Sequence, residues 1–329
     1  MPRHLLTVAC LLAVPAWAAE PGPSSLAVPP ELAAVTSNPE LSGIVWSAPR
    51  KRYLLVTDDS GLAEADTRHE PILLAIDEEG RFDKAPVPIR GAKKLNDPES
   101  ICAGPAGSYF LVTSHSPNRK GKTSAARRRL LQLVEGKGGM KVAARLDLTK
   151  IKGGSLLKLA GLPSDGRLDI EAIAYRDGAL FVGFKSPLTD KHEAVIVRLP
   201  NAVEILRRGK LRANAIERFV TVPLCVVGAG GDKVCQGISD MSFLPDGSLV
   251  VSANAPKGGP KDDGGALWHL PSLVGKTAPV LLHRFAGLKP EGVTPTPDGH
   301  ALKVVFDCDQ KTPTWTEVPL PGTGRAKRP

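Results

Sequence analysis

Residues 170–188 read IEAIAYRDGALFVGFKSPL: an acidic residue among apolar ones, an Asp-Gly pair, then an apolar run that ends in polar residues. Asp-Gly between two alternating runs is a hairpin signal, because glycine accepts the positive φ a tight turn demands. The same phrase recurs as LSGIVWSAPRKRYLLVTDDS from Leu41, PESICAGPAGSYFLVTSHS from Pro98, SDMSFLPDGSLVVSANAP from Ser239 and PEGVTPTPDGHALKVVFDCD from Pro290. Asp246-Gly247 and Asp298-Gly299 repeat the turn of Asp177-Gly178. The copies lie roughly 50 to 70 residues apart, a period that means blades or arrays. With strands inside each unit, it predicts an all-β fold, a single β-propeller whose innermost strands line a central channel.

Each copy is then the inner half of a four-stranded antiparallel blade, and outer strands are sought in the intervals. Ile72–Asp77 with Ala85–Ile89, Arg129–Glu135 with Lys141–Leu148, Ala194–Leu199 with Phe219–Leu224, and Ala266–Leu270 with Val280–Phe285 supply four outer pairs. A short helix is predicted over Ala202–Arg208 after Asn201, a natural N-cap. The fifth copy is followed only by Trp315–Leu320, so its missing strand is expected from the N-terminal segment around Ser25–Val28, closing the ring. Five blades are counted; a sixth, degenerate blade between Gly121 and Leu168 stays open. No second domain is seen. The expected organisation is a secretory signal over 1–18, a segment with the ring-closing strand over 19–41, the propeller over 42–320 and a basic tail over 321–329.

The signal is read from Arg3 and His4, the apolar Leu5–Val14 and the Ala16-Trp17-Ala18 cleavage pattern. That run is too short to anchor in a bilayer, so a periplasmic or secreted, not membrane-spanning, monomer is expected. Export makes a disulfide reasonable, and Cys225 and Cys235 bracket a glycine-rich loop suited to one. Cys102 and Cys308 are left as thiols or a second bridge. The net charge of +9 is concentrated in Arg119, Lys120, Lys122, Arg127, Arg128 and Arg129 and in the C-terminal tail. In an exported protein this argues for no nucleic acid; the cluster is either a solvated loop or a contact for an anionic ligand. No zinc spacing, P-loop, EF-hand, HExxH or G-x-S-x-G pattern occurs.

Aligned by sequence, Ser42, Glu99, Glu171, Asp240 and Glu291 take one position in the five copies. In a propeller the carboxylates Glu99, Glu171, Asp240 and Glu291 ring one mouth of the channel. Such anions repel one another until a cation, raised pKa values or basic partners relieve them. Three readings follow: the carboxylates staple neighbouring blades, they hold a divalent metal, for which oxygen ligands suit Ca²⁺, or they act as acid and base. The ends of the second strands, Asp58, Asp59, Ser114, His115, Lys185, Ser186, Asn254, Asp307 and Asp309, form a further set on the same face. His115 is the candidate proton carrier, against a plain loop histidine. Lys185 and Lys289 either neutralise the acidic ring or bind an anionic or phosphorylated small molecule.

At TSHSPNRKGK (113–122), RRRLLQLV, IEAIAYRDGALFVGFKSPL and LKPEGV the chain resembles the bacterial domain-of-unknown-function family 3616. The resemblance spans nearly the whole mature chain and implies a β-propeller without implying an activity. Gluconolactonase-like and paraoxonase-like propellers have similar inner-strand Glu-Gly openings, and alkaline phytases are also propellers; in these the carboxylates hold calcium or another divalent metal. By that likeness of architecture, the expected function is a channel-mouth acidic site of a divalent-metal-dependent phosphoesterase or lactonase with Ca²⁺, His115 and Lys185 meeting the ligand. The alternative is a non-enzymatic periplasmic binding or scaffold propeller, and whether the protein is an enzyme stays open.

Overall fold

The computed structural model describes residues 22–36, 39–57, 69–118, 120–228, 230–256, 264–273, 278–308 and 312–321. The expected signal, Asp58, Asp59, Arg119, Asp309 and the tail beyond 321 lie outside the described residues. The chain forms a β-propeller of five four-stranded antiparallel blades, of which the first two join at their outermost strands, in parallel, into one eight-stranded sheet. Blade 1 runs Leu41–Ser47, Arg52–Thr57, Ile72–Ile76 and Val87–Arg90 from axis to rim. Blade 2 runs Pro98–Ala103, Tyr109–Thr113, Leu130–Gly136 and Gly139–Leu146. Blade 3 runs Asp169–Arg176, Ala179–Ser186, Ala194–Leu199 and Glu217–Val222. Blade 4 runs Gly237–Phe243, Leu249–Asn254, Gly265–Leu270 and Val280–Phe285. Blade 5 runs Lys289–Pro295, Ala301–Asp307 and Thr314–Pro319, and takes its outermost strand from Ser24–Ser25.

Closure is therefore made by the chain's two ends, as the repeat count requires. Ser24 pairs with Trp315 and Ser25 with Thr314, and the Leu26 N–H donates to the Pro313 carbonyl at 2.7 Å. The buried apolar side chains divide into five clusters, one between each neighbouring pair of blades, so every interface of the ring is sealed. The interval from Gly121 to Leu168 holds the outer strands of blade 2, a two-residue strand and a short helix, Leu156–Ala160, and no sixth blade. That helix starts at Ser155, whose hydroxyl accepts the Lys158 N–H, and ends at Gly161 in the left-handed region. With Ala202–Arg208 it covers the rim between blades 2 and 3. Asn201 does precede that second helix, but with φ 56° and no side-chain cap; the Ala202 N–H is met by the Gly178 carbonyl instead.

The hairpin turns differ in a way the shared Asp-Gly hides. At Asp177-Gly178 both residues have positive φ, 49° and 80°, the two-residue turn that matches strand twist. At 246–247 only the glycine is left-handed, and the Asp246 carboxylate accepts from the Ser248 N–H and hydroxyl. These tight turns lie on one face of the ring. The opposite face, where the innermost strands begin, carries the connections 114–129, 147–168 and 223–236.

Candidate functional site at the channel mouth

Each innermost strand carries one bulged residue near its start, where the register with the second strand slips by one. In blade 1 it is Ser42, in blade 2 Glu99, in blade 3 Glu171, in blade 4 Ser239 and in blade 5 Glu291. Such bulges re-aim side chains at a rim. The bulge corrects the sequence alignment: Asp240 is not the counterpart of Glu171. It lies one residue further along, in the row Gly43, Ser100, Ala172, Asp240 and Gly292.

That second row shuts the axis. A Cβ on Gly43 would lie 2.8 Å from the Glu99 carbonyl oxygen, and one on Gly292 would lie 3.1 Å from the Gly43 Cα. Backbones meet there, which is why glycine stands at both places. Asp240 fills what space remains. Its Oδ1 accepts from the Ser100 hydroxyl at 2.7 Å and its Oδ2 from the Val293 N–H at 2.9 Å. Burial pushes its pKa well above the usual carboxylate range, against the pull of those donors. Asp240 is a staple across the axis, with both oxygens committed.

Above it, Glu171 and Glu291 come together around Lys185. The Lys185 ammonium lies 2.6 Å from Glu171 Oε2 and 3.0 and 3.4 Å from the two Glu291 oxygens. All three side chains are largely buried. Lys185 reaches the axis because Gly237 leaves room: a Cβ there would strike the Lys185 carbonyl. Asn254, at the end of the second strand of blade 4, donates from Nδ2 to Ser239 Oγ, the Pro290 carbonyl and Glu291 Oε1 at 2.9, 2.9 and 3.2 Å. Burial opposes the Lys185 charge, but Glu171 and then Glu291 outweigh it and hold its pKa well above the ordinary lysine value. Burial lifts Glu171, and Glu291 and Asp169 add to the lift while Lys185 opposes it. The result is a fixed ammonium beside a carboxyl group prone to take a proton.

This arrangement bears on the expected metal. Glu99, Glu171 and Glu291 do share the bulge row, but an ammonium stands between the last two, and Asp240 is spent elsewhere. Among the described residues no three histidine, cysteine or acidic side chains are grouped to hold a metal ion. The donor set of the mouth does not fit a calcium ion while Lys185 is charged.

His115, the candidate proton carrier, has both ring nitrogens engaged within the fold. It sits at φ 57°, just past the end of the second strand of blade 2, and this turns the ring inward. Nδ1 lies 2.6 Å from the Thr113 carbonyl, to which it donates, and Nε2 accepts the Leu148 N–H at 3.3 Å. Burial lowers its pKa to about 4, so the ring is neutral with both nitrogens engaged. Three of the bases expected to seat an anion are paired. Lys289 donates to Asp307 at 3.0 Å, Arg128 meets Asp147 at 3.3 Å, and Arg127 binds Asp97 together with the Ser114 and Ser116 hydroxyls. Cys225 and Cys235 are joined, paired directly across a small hairpin on the mouth face. Cys102 and Cys308 are separate thiols. No helix among the described residues is long and apolar enough to cross a membrane.

The signal for the true register was present in the apolar residue before each bulge: Leu41, Pro98, Ile170, Ile238 and Pro290. Aligning on these, rather than on the acidic residues, sets Ser239 beside Glu171.

No family model matches the chain, and no curated protein matches it. Among solved structures it is similar to a gluconolactonase from Xanthomonas campestris, 11% identical over 86% of this chain and 87% of that one, TM-score 0.42. It is also similar to the hydrazine synthase of Kuenenia stuttgartiensis, 12% identical over 82% of this chain and 65% of that one, TM-score 0.41. A nidogen/laminin complex gives 10% identity over 88% of this chain and 83% of that one, TM-score 0.40. Likeness at this level says nothing about what the chain does.

Proposed function

We propose that the protein is an exported β-propeller that takes a small molecule at its channel mouth and hydrolyses a lactone or related ester there. The observation that carries this is the buried Glu171–Lys185–Glu291 group on the face that bears the long connections. Ester hydrolysis needs a base for the attacking water and a fixed positive charge for the oxygen that becomes anionic. Glu171, with its lifted pKa, takes the water proton as the water oxygen attacks the carbonyl carbon. Lys185 donates to the carbonyl oxygen as negative charge develops on it. Collapse of the tetrahedral species breaks the bond to the ring oxygen, which receives the proton back from Glu171.

Charge selects between the two hydrolytic expectations. Lys185, Lys289 and Arg127 each have a carboxylate partner, and the one ammonium at the mouth faces two carboxyl groups, Glu171 and Glu291. A phosphorylated substrate is repelled by such a mouth, whereas a neutral lactone is not. The hydroxy acid it yields is the anionic small molecule, and like charge speeds its departure. Calcium has no step in this reading. The Cys225–Cys235 bridge supports export, and the likeness to family 3616 remains a proposal of kinship.

The scaffold reading is favoured by one observation, the close backbone approach of neighbouring innermost strands at Gly43 and Gly292. A screen of neutral lactones against phosphomonoesters, followed by acid release, separates the readings. Lactone turnover that falls by about 10²-fold or more in Glu171→Gln and Lys185→Met is expected. No turnover, with no melting shift from any lactone, leaves the scaffold.

A further inference from the structure

Two carboxylates from non-adjacent blades converge at the mouth, and the chain itself supplies the cation between them. Glu171 belongs to blade 3 and Glu291 to blade 5, and both are more than nine-tenths buried. Glu171 Oε2 meets the Lys185 ammonium at 2.6 Å, so the cation Glu171 relies on is the one the chain itself supplies. Asn254, also buried, spends its Nδ2 on Glu291 and leaves its own Oδ1 without a hydrogen bond. A half-turn of that amide exchanges the two atoms and presents an oxygen to the same place. Around Lys185 there is thus an all-oxygen set, two carboxylates held by the ammonium and one amide oxygen without a hydrogen bond, of the hard, irregular kind that suits Ca²⁺ better than the strictly octahedral Mg²⁺.

We propose that Lys185 is a built-in substitute for a divalent metal: the protein as it stands takes no ion at the mouth, and removal of the ammonium uncovers a calcium site formed by Glu171, Glu291 and Asn254. This stands whether or not the mouth is hydrolytic, since it concerns which cation neutralises the two carboxylates. A long amine on the second strand reaches the axis from within the fold, so its local concentration is fixed and no ion has to be captured from dilute solution. The site gives up Lewis acidity and gains independence from chelators.

The test is calcium titration by calorimetry, with melting curves in EDTA and in millimolar CaCl₂, on wild type, Lys185→Ala and the triple variant Lys185→Ala/Glu171→Gln/Glu291→Gln. Wild type is expected to give no binding heat and the same melting temperature in both conditions. Lys185→Ala is expected to bind one equivalent and to melt about 5 °C higher with calcium, or to fold only when calcium is present. The triple variant should lose that response. A calcium-dependent melting shift in wild type that Glu171→Gln abolishes overturns the proposal, whatever Lys185→Ala does. So does a Lys185→Ala protein that folds and binds no calcium, or that folds in neither condition.

Discussion

Ser100 Oγ donates a hydrogen bond to Asp240 Oδ1 at 2.7 Å, although the two residues are 140 apart in the chain. Ser100 accepts in turn from the Ile173 N–H at 3.2 Å, and the second Asp240 oxygen takes the Val293 N–H. Two buried side chains, Ser100 and Asp240, thereby link blades 2, 3, 4 and 5 at the level where Gly43 and Gly292 stand. Propeller blades pack side by side mainly through apolar faces, which fix distance but little rotation. Directed bonds through these two side chains fix how the innermost strands stand to one another.

Asp240→Ala leaves a hydroxyl and a backbone N–H buried without partners, so a loss of about 3 kcal/mol in unfolding free energy is expected. Asp240→Asn keeps one acceptor and should lose about half of that. The pH dependence has a definite sign. The folded pKa of Asp240 lies above its unfolded value, so its contribution is full in acid and declines as pH rises through the folded pKa. The stability gap between wild type and Asp240→Asn should be widest near pH 4 and shrink toward pH 8 in urea titrations. A constant gap would refute the assignment.

The fold was legible because its signals are local. Ala194–Leu199, Ala202–Arg208 and Val280–Phe285 match their predicted bounds, and the N-terminal ring-closing strand falls at Ser24–Ser25. Apolar runs, Asp-Gly turns and a repeat are properties of short stretches, and they survive translation into strands. The site was only half legible because it depends on register. A one-residue bulge in blade 4 is invisible when Ser239 and Asp240 are both small and polar, yet it moves Asp240 from the mouth into the axis. The burial of His115 was hidden for a similar reason: a left-handed residue past a strand end does not follow the strand's alternation of faces.

His115 gives a stability signature in place of a catalytic one. Its folded pKa is about 4, against the ordinary 6.5, so the unfolded chain binds a proton that the folded one refuses. Stability is therefore full above pH 6.5 and lost as pH falls toward 4, by about 3 kcal/mol in all. His115→Gln should cost about 1–2 kcal/mol at neutral pH through lost hydrogen bonds, and should show a shallower acid decline. Any lactone turnover should keep its pH profile in this variant; a lost limb would restore His115 to the chemistry.

Ring closure depends on a strand of two residues and on Leu26, which is wholly buried between blades 5 and 1. Leu26→Ala is expected to cost about 2–5 kcal/mol. Deleting residues 22–26 should do more, since it also bares the edge of Thr314–Pro319. An unpaired edge is a template for pairing between chains. A lower melting temperature with concentration-dependent oligomers by light scattering is the expected outcome, and an unchanged monomer would show that closure lies elsewhere.

Lys185 makes the sharpest claim on stability. Lys185→Met keeps the length of the side chain and removes its charge, stranding Glu171 and Glu291 in a buried place. Breaking one side of a buried ion group costs about 3–5 kcal/mol, because the remaining charges keep their desolvation penalty. Adding Glu171→Gln and Glu291→Gln should return most of that loss, since amides need no counter-ion. Acid should act likewise on Lys185→Met alone: without the ammonium the Glu171 pKa, already lifted by burial, rises further in the fold, and a proton taken up on lowering pH replaces the missing charge. Wild type, whose Lys185 stays charged across that range, should gain much less from the same change. Urea titrations of the three proteins at neutral and mildly acidic pH decide it. If Lys185→Met alone is as stable as wild type at neutral pH, no buried charge at the mouth depends on the ammonium, and both the electrophile and the base proposed there are lost.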